Sequence, residues 1–169
     1  MEQDAEIVYH GSIDITTNPL ANVGRSNLDF GKGFYVTVLE KQSVAWATRP
    51  ANMGKKKHLN VYELDVNRTE QEGYRSLRFK KYGQEWLDFV VANRKGSQHW
   101  KEFDLIEGGI ANDRVFNTVE LYSARLITAE EALQRLRYYK PNNQICIINQ
   151  EIIDKHLRFV KSIAIKEND

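Results

Sequence analysis

Residues 29–37 read Asp-Phe-Gly-Lys-Gly-Phe-Tyr-Val-Thr, and residues 9–12 read Tyr-His-Gly-Ser. The first stretch is β-prone and follows paired glycines, which predicts a strand over residues 31–38. The second ends another β-prone run, which predicts a strand over residues 6–11 that carries His10 at its end. The intervening residues are predicted to be loop. A histidine at a strand end beside a glycine-bounded strand is the pattern from which the fold and function predictions start.

The rest of the chain groups its helices between outer strands. Helical spacing and stop signals predict helices over residues 40–48, 84–94, 115–126, 128–137 and 150–156. Strands are expected over residues 59–66, 103–106, 144–149 and 157–165, the first of them half-buried because apolar and polar residues alternate. This order favours an α+β fold over a regularly alternating one. A length of 169 residues fits a single domain over residues 1–169.

Composition excludes several classes of protein. Lys and Arg number 24 against 23 Asp and Glu, so the net charge of +1 argues against a generally basic nucleic-acid binder. The single cysteine, Cys146, lies in an apolar run that predicts burial, and its use fits a reducing cytoplasm. No signal peptide or membrane-spanning stretch is found, so the protein is expected in the cytoplasm without a membrane partner. Scattered histidines predict no metal site.

Two aromatic residues and one glutamine extend the opening pattern. Tyr35 follows Gly33 on the second predicted strand, Trp46 stands eleven residues later on the next helix, and Gln144 begins a late strand. This set resembles the ADP-ribosyltransferase superfamily of the diphtheria-toxin and poly(ADP-ribose) polymerase type, the H-Y-[E/Q] group. The resemblance implies a split β-sheet core surrounded by helices. The third position is usually Glu in that superfamily, so Gln144 is a departure.

Several other stretches resemble a bacterial toxin-like family of unknown function that is grouped with these enzymes. They are residues 86–90, 93–94, 111–114 and 142–145, together with the Asp-Phe-Gly segment. The likeness implies NAD-dependent transfer of one ADP-ribose to a macromolecular target by a toxin or effector. It also implies that NAD is a co-substrate, that no metal is needed, and that an antitoxin or immunity protein is a possible partner.

The resemblance assigns a role to each matching residue. His10, Tyr35 and Gln144 are the expected catalytic residues, with stacking of nicotinamide between Tyr35 and Trp46 and a hydrogen bond donated by His10 to the ribose. Gly11 is expected to bind the carboxamide through its backbone, because a missing Cβ lets a ligand approach. Further NAD contacts are expected at Ser12, Arg25, Gly33 and Phe34. Residues Asn112 and Asp113 are weaker candidates on the substrate side.

Three alternatives remain open at the level of sequence. An amide at position 144 carries no charge, so slower transfer is expected unless a carboxylate such as Glu120 or Glu151 reaches the site. The first alternative is therefore an inactive protein of the same fold that binds NAD, another nucleotide or a partner. The second is an RNA-binding module that uses residues 55–58 and an exposed Trp100. The third, NAD-dependent transfer of an RNA 2′-phosphate, lacks clustered arginines and paired histidines.

Overall fold

The structure is a computed structural model that describes residues 5–167, apart from the side chain of Asp113. The strands in this part of the chain are β1 (Glu6–Ser12), β2 (Phe34–Val36), β3 (Lys57–Leu64), β4 (Ser76–Arg78), β5 (Leu105–Gly108), β6 (Gln144–Ile147) and β7 (Leu157–Ile165). The α-helices are α1 (Glu40–Ala47), α2 (Val66–Gln71), α3 (Gln84–Arg94), α4 (Asp113–Ser123), α5 (Ala129–Leu136) and α6 (Gln150–His156). Among the described residues, no helix is both long and apolar enough to cross a membrane.

The described strands form two sheets. One is antiparallel with strand order β1-β3-β7, and the other has the order β2-β6-β5-β4, in which only the β4–β5 pair is parallel. The helices pack around these sheets rather than alternating with parallel strands, so the fold is α+β, as the order of predicted elements indicated.

The four-stranded sheet is buried on both faces. Ile145 and Ile147 on β6 point into a core shared with Val8 and Tyr62 of the other sheet. Cys146, between them, faces a second core that helices α3, α4 and α5 supply. Two-sided burial explains why β6 is a continuous apolar run after its first residue. It also confirms the predicted burial of Cys146, and it raises the pKa of that thiol to about 12.

Among the described strands, one isolated backbone bridge joins the two sheets. Tyr9 on β1 exchanges two backbone hydrogen bonds with Thr37, just beyond β2, at 2.8 and 3.0 Å. If this antiparallel register continued, Gly11 would lie opposite Tyr35. Instead, the Nδ1 atom of His10 lies 2.7 Å from the backbone oxygen of Tyr35. The imidazole of His10 thus occupies the Tyr35 carbonyl oxygen to which the Gly11 N–H would bond in a continued ladder. Strands β1 and β2 separate at this point.

Helix α1 packs directly against the end of β1. A Cβ atom added to Gly11 would lie 1.9 Å from the backbone oxygen of Ser43. The prediction that the missing Cβ leaves room for a ligand is therefore wrong, because α1 fills that space. Glycine at position 11 is required by the close contact between helix and strand.

Most predicted elements are present with shifted ends. Helix α3 has the predicted bounds, and Thr128 caps α5 by accepting a hydrogen bond from the backbone of Glu131 at 3.2 Å. The predicted strand over residues 31–38 is reduced to three residues. Strand β3 is buried on most positions rather than half-buried, because it is the central strand of its sheet and α1 contacts it. The sequence reading missed α2 and β4, which are short and polar.

Replacing Gly11 by alanine should force α1 away from β1. We expect Gly11→Ala to lower the free energy of unfolding by about 1–3 kcal/mol, which is typical of overpacking. Gly24→Ala is the matched control, since its nearest contact would be an ordinary 3.6 Å. Urea unfolding of both variants checks this, and equal stability of the two would contradict the proposed packing role.

Candidate functional site

The sheets separate around a cavity of about 510 Å³. Its walls come from the end of β1, the loop over residues 24–29, the end of α1 and the first residue of β6. The size lies within the usual range for small-molecule sites. The structure brings together seven of the residues singled out from the sequence: His10, Gly11, Ser12, Arg25, Tyr35, Trp46 and Gln144.

His10 is held in one tautomer at the point where the strands separate. Because a backbone oxygen can only accept, Nδ1 must carry the proton that it donates to Tyr35. Burial lowers the pKa of His10 below its ordinary 6.5. The centre of the Phe34 ring lies 4.4 Å from the centre of the imidazole ring. At neutral pH the Nε2 atom is thus an acceptor. The prediction that His10 donates a hydrogen bond to a ligand is therefore wrong, and Nε2 can accept one instead.

Gly11 presents unpaired backbone groups to the cavity. In the antiparallel ladder with β3, alternate residues turn their N–H and C=O groups to opposite edges. Tyr9 turns both groups toward Thr37, so Gly11, two residues on, turns both groups toward the same edge. At that edge, β2 is no longer paired with β1. The cavity therefore has an adjacent donor and acceptor, which suits a planar amide.

A buried asparagine fixes the loop that leaves β1. Asn60 on β3 donates to the backbone oxygens of His10 and Asp14 at 3.1 and 3.0 Å and accepts from the backbone of Thr16 at 3.0 Å. Ser12 adds a turn by donating its hydroxyl to the Asp14 oxygen at 2.7 Å. Ser12 lines the cavity, but this hydroxyl proton is already used within the loop.

Tyr35 holds its own loop in place. Its hydroxyl donates to the backbone oxygen of Gly31 at 2.6 Å and accepts from the backbone of Phe30 at 3.1 Å. Burial raises the pKa of this phenol well above 10, so it stays protonated as a donor. With its polar end satisfied, Tyr35 offers the cavity an immobilised aromatic ring.

Trp46 contributes the second aromatic wall. It lies near the C-terminal end of α1, is partly buried and lines the same cavity as Tyr35. Arg49 follows it by three residues and lines the cavity as well. Arg49 lies beyond α1, which ends at Ala47, so helical spacing does not predict its place beside Trp46.

Gln144 reaches the cavity from the other sheet. The residue is 5% exposed, and its Nε2 donates to the backbone oxygen of Gly109 at 3.1 Å. Since only the nitrogen of an amide donates, this bond also fixes which end is the oxygen. The amide oxygen points away from Gly109 and is the end available to accept a hydrogen bond.

The charges of the cavity are unevenly distributed. Asp29 is the one carboxylate among the described residues that line it, and Arg94 pairs with it at 2.7 Å. Asn93 donates to the backbone oxygen of Asp29 at 2.8 Å, so the end of α3 holds this wall in place. Arg25 and Arg49 line the cavity without an ion-pair partner among the described side chains. Two unpaired guanidinium groups beside an apolar wall favour an anionic ligand.

Other predicted residues lie away from the cavity lining. A Cβ at Gly33 would meet the Cys146 sulfur at 2.5 Å, so this glycine serves the contact between β2 and β6. Phe34 is 7% exposed in the core beneath His10. Asn112 precedes α4 and donates to Gln42 at 3.4 Å, and the side chain of Asp113 lies outside the described structure.

The alternative carboxylates do not line the cavity. Glu120 pairs with Arg94 at 3.2 Å and is absent from the cavity lining. Glu151 pairs with Lys155 on the surface of α6. Asp29 supplies the carboxylate instead, which sequence reasoning missed because Arg94 and Asp29 are 65 residues apart.

The RNA-binding surface suggested by the sequence is not formed. Trp100 is 6% exposed, so it offers no stacking face, and Lys57 is buried and pairs with Glu167 at 2.7 Å. Residues 55–58 therefore lack both the exposed aromatic ring and the complete basic run. Among the described residues, no cluster of three or more His, Cys, Asp or Glu side chains could hold a metal ion.

The chain matches a protein family over residues 6–159, and that family is described as protein of unknown function (DUF3990). Since the match covers most of the chain, the protein belongs to this family. No curated protein and no solved structure matches the chain.

Protonation of His10 should destabilise the fold. The unfolded chain binds a proton near pH 6.5, whereas the folded chain binds it only at lower pH. Stability is therefore fully present above about pH 6.5 and falls as the pH drops toward the folded pKa, by at most about 1.4 kcal/mol per pH unit. His10→Gln, whose amide can still donate to Tyr35, should lack this component. Urea unfolding between pH 5 and 8 measures the difference, and identical pH profiles would contradict the assignment.

Proposed function

We propose that this protein is an NAD-dependent mono-ADP-ribosyltransferase with a fold similar to the diphtheria-toxin and poly(ADP-ribose) polymerase type. One observation carries the proposal. Five residues picked by their resemblance to that superfamily line a single cavity, although the first and last are 134 residues apart in the sequence: His10, Gly11, Tyr35, Trp46 and Gln144. The two sheets that separate beyond one bridging pair also agree with the split core expected of that fold.

The nicotinamide end of NAD suits the inner part of the cavity. The free N–H and C=O of Gly11 match the acceptor and donor of a carboxamide, and the rings of Tyr35 and Trp46 offer stacking surfaces. In the proposed complex, Nε2 of His10 accepts a hydrogen bond from a ribose hydroxyl. Arg25 and Arg49 neutralise the diphosphate, which fits their lack of carboxylate partners.

The proposed reaction breaks the bond between nicotinamide and ribose. The electron pair of that bond leaves with nicotinamide, and the sugar passes through a state with oxocarbenium character. An acceptor nucleophile then bonds to the same carbon and releases its proton. The Gln144 oxygen accepts a hydrogen bond from the 2′-hydroxyl, and the Asp29 carboxylate supplies negative charge that an amide lacks.

The biological part of the proposal follows the resemblance. It assigns the protein to bacterial toxins or effectors that modify a macromolecule in the cytoplasm, with an antitoxin or immunity protein as partner. NAD is the co-substrate.

A binding protein without catalysis is the second candidate. Two observations favour it: position 144 is an uncharged amide, and the cavity carboxylate, Asp29, is already paired with Arg94. Such a protein would bind NAD with the same residues and release no nicotinamide.

Removing Trp46 should weaken NAD binding without unfolding the protein. One stacking face is worth about 1 kcal/mol, so calorimetry should show about fivefold weaker binding for Trp46→Ala. Tyr138→Ala is the matched control, since Tyr138 is an exposed tyrosine that does not line the cavity. Equal affinities of the two variants would refute the stacking role.

Removing the Gln144 amide should act mainly on turnover. Because its hydrogen bond strengthens in the transition state, Gln144→Ala should lower kcat for nicotinamide release about tenfold and change NAD affinity less than about threefold. The measurement pairs a nicotinamide-release assay with calorimetry on the same preparation. Equal losses in both would mean ordinary ground-state binding, and no release by the wild-type protein would favour the binding protein.

A further inference from the structure

A second grooved surface lies beside the cavity, and of the residues that the sequence singled out it includes Asn112. Three adjoining hollows, of about 940, 540 and 520 Å³, all include Tyr139 among their lining residues. Two of them lie between α5, the segment that follows it and the start of α3, and the 540 Å³ hollow lies at the start of α4. Neighbouring hollows share lining residues, and together they are called here the α5 groove.

The α5 groove is basic although the whole chain is nearly neutral. Five cations line it against two carboxylates, Glu130 and Glu131, while the net charge of the protein is +1. The cations are Lys81, Arg114, Arg135, Arg137 and Lys140. All five are exposed, and none has an ion-pair partner among the described side chains. Unpaired cations concentrated on one face favour an extended polyanion.

An exposed aromatic ring stands at the edge of this groove. Tyr138 is 75% exposed, and the Arg137 guanidinium lies 5.1 Å from its ring centre and donates to its hydroxyl at 3.2 Å. A ring and a guanidinium in contact are two stacking surfaces for unpaired bases. Duplexes keep their bases stacked on each other, so this pairing favours single strands.

The groove adjoins the candidate cavity at Tyr82. The Tyr82 hydroxyl donates to the backbone oxygen of Ile110 at 2.8 Å and accepts from the backbone of Asn142 at 3.4 Å. Ile110 lines the cavity, and Asn142 precedes Gln144 by two residues. The two sites therefore share a wall.

We propose that the α5 groove binds single-stranded nucleic acid and presents it as the acceptor of ADP-ribose. The binding part depends only on charge and stacking in the groove. The acceptor part rests on the proposed function, since it needs the cavity to cleave NAD.

The binding test uses fluorescein-labelled 20-nucleotide RNA and DNA single strands, followed by anisotropy at several salt concentrations without NAD. The variant Arg135→Gln/Arg137→Gln/Lys140→Gln should bind at least tenfold more weakly. Loss of three phosphate contacts should also lower the slope of log K against log salt by about 2. Tyr138→Ala should bind about fivefold or more weakly through lost stacking. Comparing the affinities for the RNA and DNA strands shows whether ribose or deoxyribose is preferred.

The matched control removes three other exposed cations in Lys55→Gln/Lys56→Gln/Lys161→Gln, which should bind within twofold of wild type. Thermal melting checks that all variants fold. Equal losses of affinity in the two triple variants would overturn the proposed binding role of the α5 groove. The absence of binding to both RNA and DNA by the wild-type protein would do the same. If a duplex binds as tightly as single strands and Tyr138→Ala keeps the wild-type affinity, the proposed stacking of bases on Tyr138 is overturned.

The acceptor part is tested by adding labelled NAD to the same oligonucleotides. Label that enters the nucleic acid, and is lost in the groove variant, supports the acceptor assignment. Nicotinamide release without label in the nucleic acid would overturn that assignment and leave the cavity function standing. Binding without any nicotinamide release would instead count against the proposed function.

Discussion

The bond between Nδ1 of His10 and the backbone oxygen of Tyr35 is the constraint on which the site depends. Tyr9 and Thr37 begin a ladder between the two sheets, and the imidazole ends it one step later. Without that side chain, Gly11 and Tyr35 would be in register to pair and would use the backbone groups that now face the cavity. The cavity thus exists because a side chain replaces a backbone donor.

Several polar groups around the cavity are held in place by protein partners. Asn60 satisfies the loop after β1, Arg94 pairs with Asp29, and Gly109 receives the Gln144 amide. Unpaired polar groups inside a protein are costly, so these bonds define the positions of the walls before any ligand arrives. The backbone edge of Gly11 and the side chains of Arg25 and Arg49 stay without such partners and line the cavity.

Local patterns in the sequence were sufficient for most of the fold. Helix α3 and the capped α5 were predicted because apolar spacing and a Thr–Glu cap act within a few residues. Long-range contacts were not accessible in this way. The roles of Gly11 and Gly33 come from a helix and a strand elsewhere in the chain, and the carboxylate of Asp29 is positioned by a residue 65 places later. Seven residues singled out from the sequence line the cavity and Gly33, Phe34 and Asn112 do not, whereas geometry corrected His10 from a donor to an acceptor.

The proposed function divides two tasks between two neighbouring sites. An enzyme that stabilises a cationic sugar needs negative charge near the reacting carbon, and here only Asp29 among the described lining residues supplies it. A polyanionic acceptor needs the opposite sign, which lies in the α5 groove beyond Tyr82. The cavity also holds Arg25 and Arg49, which the proposal assigns to the diphosphate of NAD. The five cations of the groove lie outside the cavity lining, and Asn142 of the groove is two residues from Gln144, so in the proposed reaction the acceptor approaches the sugar from the basic side.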